Sequence, residues 1–322
     1  MSLIQKLTPT NLNEEKQKFF KANFKYEPQF TYLEPIDPKL LAKYGKPTEP
    51  LSKLAEKILN QAFKNHTYQE LVEMEGEVIS SSQTYNLIQK FLKMHQLENR
   101  FQIIADPNIS SRATATSNSI KLQPNTKFRK EGILSMLYHE IGTHVLRRIN
   151  YEKQPWYKKK KQYGLTHNYL KTEEGLAVIH GHLPRTNKLM WRSALKYLGV
   201  AKAYQLSFSQ LFAWISQYRH RPEANWRFCV RLKRGLTDTS QPGGFTKDLV
   251  YFAGFVKVWH WLSEHNFMID DLYYGKLALE DVEIAKKLNP NYQPVLPSFY
   301  LADRKAYKKN LKEIGRVNFL EP

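Results

Sequence analysis

The apolar positions change period several times along the chain, and these changes outline its elements. Near residues 51–63 and 84–95 they recur three and four apart, which predicts helices. Phe101-Gln102-Ile103-Ile104-Ala105-Asp106 predicts a strand, and the alternating Thr-, Ser- and Ala-rich stretch 112–122 one or two more. From Lys127 onward helical spacing dominates, over 127–150, 171–181, 188–203, 207–219, 223–235, 246–265, 278–287 and 303–313. Residues 1–24 are polar and lysine-rich and predict a partly ordered arm. Pro28, Pro35, Pro38, Pro47 and Pro50 punctuate an extended segment. Thr237–Phe245, with Pro242-Gly243-Gly244, predicts a loop whose length and polarity suggest more than a connection. No repeat period is present. A few strands followed by many helices predict an α+β fold, with one domain over residues 25–322.

Chemistry concentrates in His139-Glu140-Ile141-Gly142-Thr143-His144. Two imidazoles can hold zinc, and a carboxylate beside the first can activate water there. The histidines are one residue further apart than in H-E-x-x-H. A regular helix turns about 100° per residue, so positions five apart diverge by roughly 140°. Both rings reach one ion only if the helix is locally widened, as by a π-bulge. Gly142 lies where such distortion is easiest to accept. Ile133, Leu134, Leu137, Ile141 and Val145 place the motif on a largely buried helix. Buried histidines and a glutamate need partners, and a metal is one.

A third ligand is expected from a second helix, and Glu174 in Thr172-Glu173-Glu174-Gly175-Leu176-Ala177 is the best candidate. The competing reading is capping, with Thr172 at a helix start and both glutamates in its first turn. That reading is stronger for Glu173. His167, His180 and His182 are the runner-up ligands. The expected architecture is then α+β: a mostly helical zinc metallopeptidase with a small sheet beside a metal-binding helix pair.

H-E-I-G-T-H followed by E-E-G-L-A resembles the microtubule-associated tyrosine carboxypeptidases, whose bacterial relatives carry a "QEGLA" motif. The likeness continues through Tyr26-Glu27-Pro28-Gln29-Phe30, Gln154-Pro155-Trp156, Ser207-Phe208-Ser209-Gln210-Leu211-Phe212, Cys229–Gly235, Thr237–Phe245 and Thr246–Tyr251. It covers roughly residues 25–320. The resemblance implies that His139, His144 and Glu174 bind one zinc ion and that Glu140 is the general base. It further implies removal of the C-terminal tyrosine from the acidic tail of α-tubulin, in the cytoplasm and on the cytoskeleton if the source is eukaryotic. Gly244 and Leu249 depart from the cysteine and glutamine of animal members, which bears on the substrate rather than on the metal.

Composition narrows the alternatives. With 42% hydrophobic and 13% aromatic residues, disorder is excluded for most of the chain. The single cysteine, Cys229, cannot form an internal disulfide and reads as a packed residue. The N-terminus lacks an apolar signal core, and the longest apolar stretch, 249–262, contains Lys257 and His260, so it predicts a core helix and not a membrane span. A net charge of +19 favours anionic partners. Nucleic acid is the generic choice, while an acidic polypeptide tail fits the motifs better. Lys158–Lys161 is the sharpest basic run, either a binding feature or a solvated loop.

Peptide hydrolysis would need a donor for the oxyanion, for which Tyr251 and His260 are candidates. A carboxypeptidase must also hold a terminal carboxylate, for which Arg231, Lys233, Arg234 and Lys247 are candidates, with Arg112 on the strand side. An exposed edge within 112–122 could pair with the substrate backbone. The alternatives are a zinc endopeptidase or aminopeptidase, and a non-catalytic binder of microtubules or nucleic acid.

Overall fold

The structure, a computed structural model, describes residues 3–107, 109, 112–116 and 118–321. Its residues group into two compact units. Unit 1 comprises residues 1–71 and 190–252, and unit 2 comprises 72–189 and 253–322.

In unit 1 the expected arm is folded. Helix Leu12–Lys21 buries Phe19 against Phe24, Phe208, Phe212 and Trp226, with ring centroids 5.0–5.7 Å apart. Leu7 packs with Leu41 and Phe245. A few aromatic anchors thus outweigh the polar composition that suggested an arm. Helices Glu49–Phe63 and Trp191–Ala203 pack together, followed by Phe208–Ser216 and Pro222–Lys233. Ser207 begins one of them with a reciprocal capping box to Gln210. The loop 237–245 is tied inward. Thr237 O accepts from Phe30 N at 2.7 Å, Thr239 Oγ1 donates to Pro28 O, and Gly243 N donates to Ala203 O. Its polar groups therefore serve the fold. Gly244 adopts a φ of +152°, and a Cβ there would lie 2.1 Å from Leu232 O, so this backbone has no room for cysteine.

Unit 2 holds both sheets. Strands β1 (Val78–Ile79) and β5 (Phe128–Arg129) pair antiparallel, and both are too short to show a period. Strands β2 (Gln102–Ala105), β3 (Ala113–Ala115) and β4 (Ser119–Leu122) form a sheet of order β2-β4-β3. β4 is parallel to β2 and antiparallel to β3, which leaves β3 at an edge. The long helix that follows buries Ile133, Leu137, Ile141 and Val145, while Leu134 is only half-buried. It packs on helix Leu170–His182. That helix approaches the backbone of helix Leu249–Glu264 so closely that a Cβ on Gly175 would lie 2.2 Å from Gly254 O. No helix among the described residues is long and apolar enough to cross a membrane.

Candidate metal centre and its cleft

Residues 130–139 and 146–152 are α-helical, and Glu140–Val145 between them is a π-helical turn. The widening expected from the five-residue histidine spacing is therefore present. Side chains pin it. Thr143 Oγ1 donates to Tyr138 O at 3.1 Å, and the buried Tyr273 hydroxyl donates to Gly142 O. Gly142 has a different reason from the one expected. Its φ is not positive, and a Cβ there would lie 2.6 Å from a Phe299 ring carbon. Phe299 in turn stacks on Tyr138 with ring centroids 4.2 Å apart.

The wide turn brings His139 Nε2 and His144 Nε2 to 3.2 Å. Glu174 Oε2 lies 3.7 Å from the first and 3.6 Å from the second. Ligand atoms about 2.0–2.1 Å from a tetrahedral zinc ion stand roughly 3.3–3.5 Å apart, so the three donors match in type and spacing. Among the described residues this is the one cluster of three or more such groups able to share an ion.

Glu173 is buried and does not cap. The helix begins at Leu170, and Thr172 Oγ1 accepts from Leu279 N instead of capping it. Glu173 Oε1 faces His144 Nδ1 at 2.9 Å, its Oε2 pairs with buried Arg147, and Lys276 Nζ lies 3.2 Å from Oε1. Arg147 is held by the Leu272 and Leu277 carbonyls at 2.9 and 3.0 Å. A carboxylate on the far nitrogen of a ligand histidine fixes its tautomer and orientation. Sequence reasoning missed this role, although Glu173 directly precedes the candidate ligand.

Burial opposes a charge on His144, but the Glu173 and Glu174 carboxylates overcome it and raise its pKa to about 10. Burial raises the pKa of Glu140, with the Glu174 carboxylate contributing in the same direction. Behind the turn, His180 forms no part of the cluster. Its Nδ1 lies 2.8 Å from Thr143 Oγ1 and its Nε2 2.9 Å from the Tyr307 hydroxyl. Burial depresses the His180 pKa to about 3. His182 Nδ1 binds Val178 O, and His167 is exposed.

A cleft of about 360 Å³ opens beside the cluster. Glu140, His144, Arg148, Tyr169, Glu174 and Lys276 line it, together with Ala115 and Thr116 at the end of β3. The other expected residues are not among those that line it. Arg231 is clamped bidentately by Asp248, and Arg234 Nε binds Arg231 O. Lys233 is wholly buried, and its Nζ donates to the carbonyls of Ala203, Leu206 and Gln241 at 3.0, 2.6 and 2.7 Å. It is a structural strut, and burial lowers its pKa to about 8. Lys247 is half-buried, and Tyr251 lies under Lys196 with Nζ 5.1 Å from the ring centroid; both belong to unit 1, like Arg231 and Arg234. In unit 2, Arg112 binds Lys127 O and covers Phe128, and His260 packs on Trp259. Of the Lys158–Lys161 run, Lys160 points inward, with Nζ on Lys276 O and 4.3 Å from the Tyr169 ring centroid. Cys229 is buried.

A profile of the family described as microtubule-associated tyrosine carboxypeptidase matches residues 40–316. The chain belongs to that family. Microtubule-associated tyrosine carboxypeptidase 1 of Mus musculus is 33% identical over 325 residues, covering 98% of this chain and 68% of its own length. The Homo sapiens protein of that name is 32% identical over 323 residues, covering 98% and 68%. A second Mus musculus relative with "tyrosine carboxypeptidase" in its name is 34% identical over 327 residues, covering 99% of this chain and 62% of its own length. The chain therefore spans about two thirds of the relatives it matches.

Proposed function

We propose that this protein is a zinc-dependent carboxypeptidase that removes a C-terminal residue, tyrosine foremost, from acidic protein tails such as that of α-tubulin. One observation carries the reading. Three ligand-type atoms cluster beside a half-buried carboxylate at a cleft that Glu140, His144 and Glu174 line, in a family named for tyrosine carboxypeptidase activity. His139, His144 and Glu174 would hold the ion. When bound, zinc would polarise the scissile carbonyl and lower the pKa of water in the cleft. Glu140 takes the proton from the attacking water and returns it to the leaving amine. Glu173 holds His144 in the tautomer whose Nε2 lone pair faces the cluster. The β3 edge beside the cleft offers a backbone against which an extended tail can lie. Association with microtubules belongs to the same proposal, as does a place in the cytoplasm.

The test is incubation of a synthetic tail peptide ending in Glu-Glu-Tyr with wild type and with Glu140→Gln, read by mass spectrometry. Loss of a single tyrosine with wild type alone is expected, with the variant slower by roughly 10²–10⁴-fold. Cleavage at internal bonds, or equal activity in the variant, contradicts the reading.

A further inference from the structure

Six of the 14 residues of helix Arg304–Val317 are basic and one is acidic. Neither the candidate metal centre nor its cleft uses any of them. The apolar face of this helix is fixed inside unit 2. Tyr307, Leu311 and Ile314 are buried, the Tyr307 hydroxyl lies 2.9 Å from His180 Nε2, and Leu311 O accepts from Trp259 Nε1 at 2.8 Å. On the outer face Lys305, Lys309, Lys312 and Arg316 are all exposed. We infer that this face is a docking site for acidic polypeptide segments, separate from the cleft. The inference takes the acidic character of the partner from the function proposed above, but it does not depend on hydrolysis.

Three observations support it. First, positions 305, 309, 312 and 316 fall within an arc of about 60° on a helix that turns about 100° per residue, and they span about 16 Å along its axis. They form one straight row of cations on a rigid support. Second, the protein leaves most of that charge unanswered. Among the described residues no carboxylate lies within ion-pair distance of Lys305, Lys309 or Lys312, whereas Glu313 pairs with Arg316 at 2.7 Å and Asp270 with Arg304 at 3.4 Å. Asp303 is engaged as the helix cap, accepting from Ala306 N at 2.8 Å. Like charges a turn apart oppose the helix that carries them, and an anionic partner relieves this repulsion. Third, the chemistry of the row selects the partner. It consists of ammonium point charges and one guanidinium that Glu313 holds, with no ring to stack on a base and no amide to read a base edge. A glutamate-rich chain asks only for a line of cations. Extended, it advances about 3.3 Å per residue, so about five residues cover the row. A partner with several acidic segments that engages the row and the cleft together raises the effective concentration of its terminus.

Binding without chemistry tests this. A fluorescent glutamate-rich peptide with an amidated C-terminus is titrated by anisotropy in about 50 mM salt. Wild type is compared with a triple variant of the row, Lys305→Gln, Lys309→Gln and Lys312→Gln, in which glutamine keeps the helix propensity. A control lowers the net charge equally at other exposed lysines, Lys21→Gln, Lys25→Gln and Lys46→Gln. The row variant should bind roughly 3- to 100-fold more weakly, the range for three exposed charge contacts, and the control should stay near wild type. Arginine at the same three row positions should retain binding. Equal losses in the row variant and the control reduce the effect to net charge and overturn the inference, as does absence of binding by wild type. Tighter, row-dependent binding of a duplex DNA of equal charge assigns the row to nucleic acid and overturns the acidic polypeptide as partner. Row-dependent binding by a protein that cleaves no tyrosine-ending peptide overturns the carboxypeptidase reading and leaves the docking site standing.

Discussion

At the scale of single residues, the candidate site is shaped by groups behind His139, His144 and Glu174 as well as by these three. Glu173→Gln removes the carboxylate on His144 Nδ1 and leaves buried Arg147 without its acidic partner. Zinc affinity should fall roughly 10- to 100-fold, measured by competition with a chromophoric chelator. His180 allows a pH prediction. Its folded pKa of about 3 lies below the ordinary value of 6.5, so the unfolded chain takes up the proton first. The stability it confers is complete above about pH 6.5 and declines as pH falls toward 3. Urea titrations between pH 7 and 4 should therefore show a shallower pH slope for His180→Gln than for wild type. Equal slopes would show that His180 is not the group responsible. That His139, His144 and Glu174 come together was legible because their residue types and order along the chain suggested a shared ion. Glu173, Lys160 and Lys233 were not, because a charged residue in sequence gives no sign that an Arg147, an aromatic ring or three carbonyls await it inside.

At the scale of elements, the five-residue histidine spacing announced the wide turn, and packing explains its glycine. Gly142→Ala drives a methyl toward the Phe299 ring, which can shift, so a loss of about 1–3 kcal/mol is expected in chemical denaturation. Gly175→Ala meets the backbone of Gly254 at 2.2 Å, where nothing flexible yields. It should cost more than Gly142→Ala and lower zinc affinity too, because Gly175 adjoins Glu174. The reverse order in paired melting and metal titrations would contradict this packing account. The long helices and strands β2 and β4 follow from periodicity. Strands β1 and β5 hold two residues each, too few to show alternation, and their pairing joins positions about fifty apart. The internal hydrogen bonds of loop 237–245 could not be read from its polarity alone.

At the scale of the whole molecule, a charge of +19 should steer acidic tails toward the protein. Raising salt from about 50 to 500 mM should lower kcat/KM for a glutamate-rich peptide several-fold and change it little for a neutral one ending in the same residue. Equal salt dependence would remove steering from the account. The two units were not legible in the sequence, since each is assembled from two separate stretches and no composition shift marks their limits. The aromatic side chains that fold the N-terminus into unit 1 were also hidden among lysines. The central claim is that the wide turn gathers His139, His144 and Glu174 into a zinc site. Elemental analysis of the purified protein, beside His144→Ala and Glu174→Ala variants that retain their fold, tests it most directly. One zinc ion per wild-type chain and little in either variant is the predicted result; no zinc in the wild type after incubation with the metal, or the same zinc in all three, would contradict it.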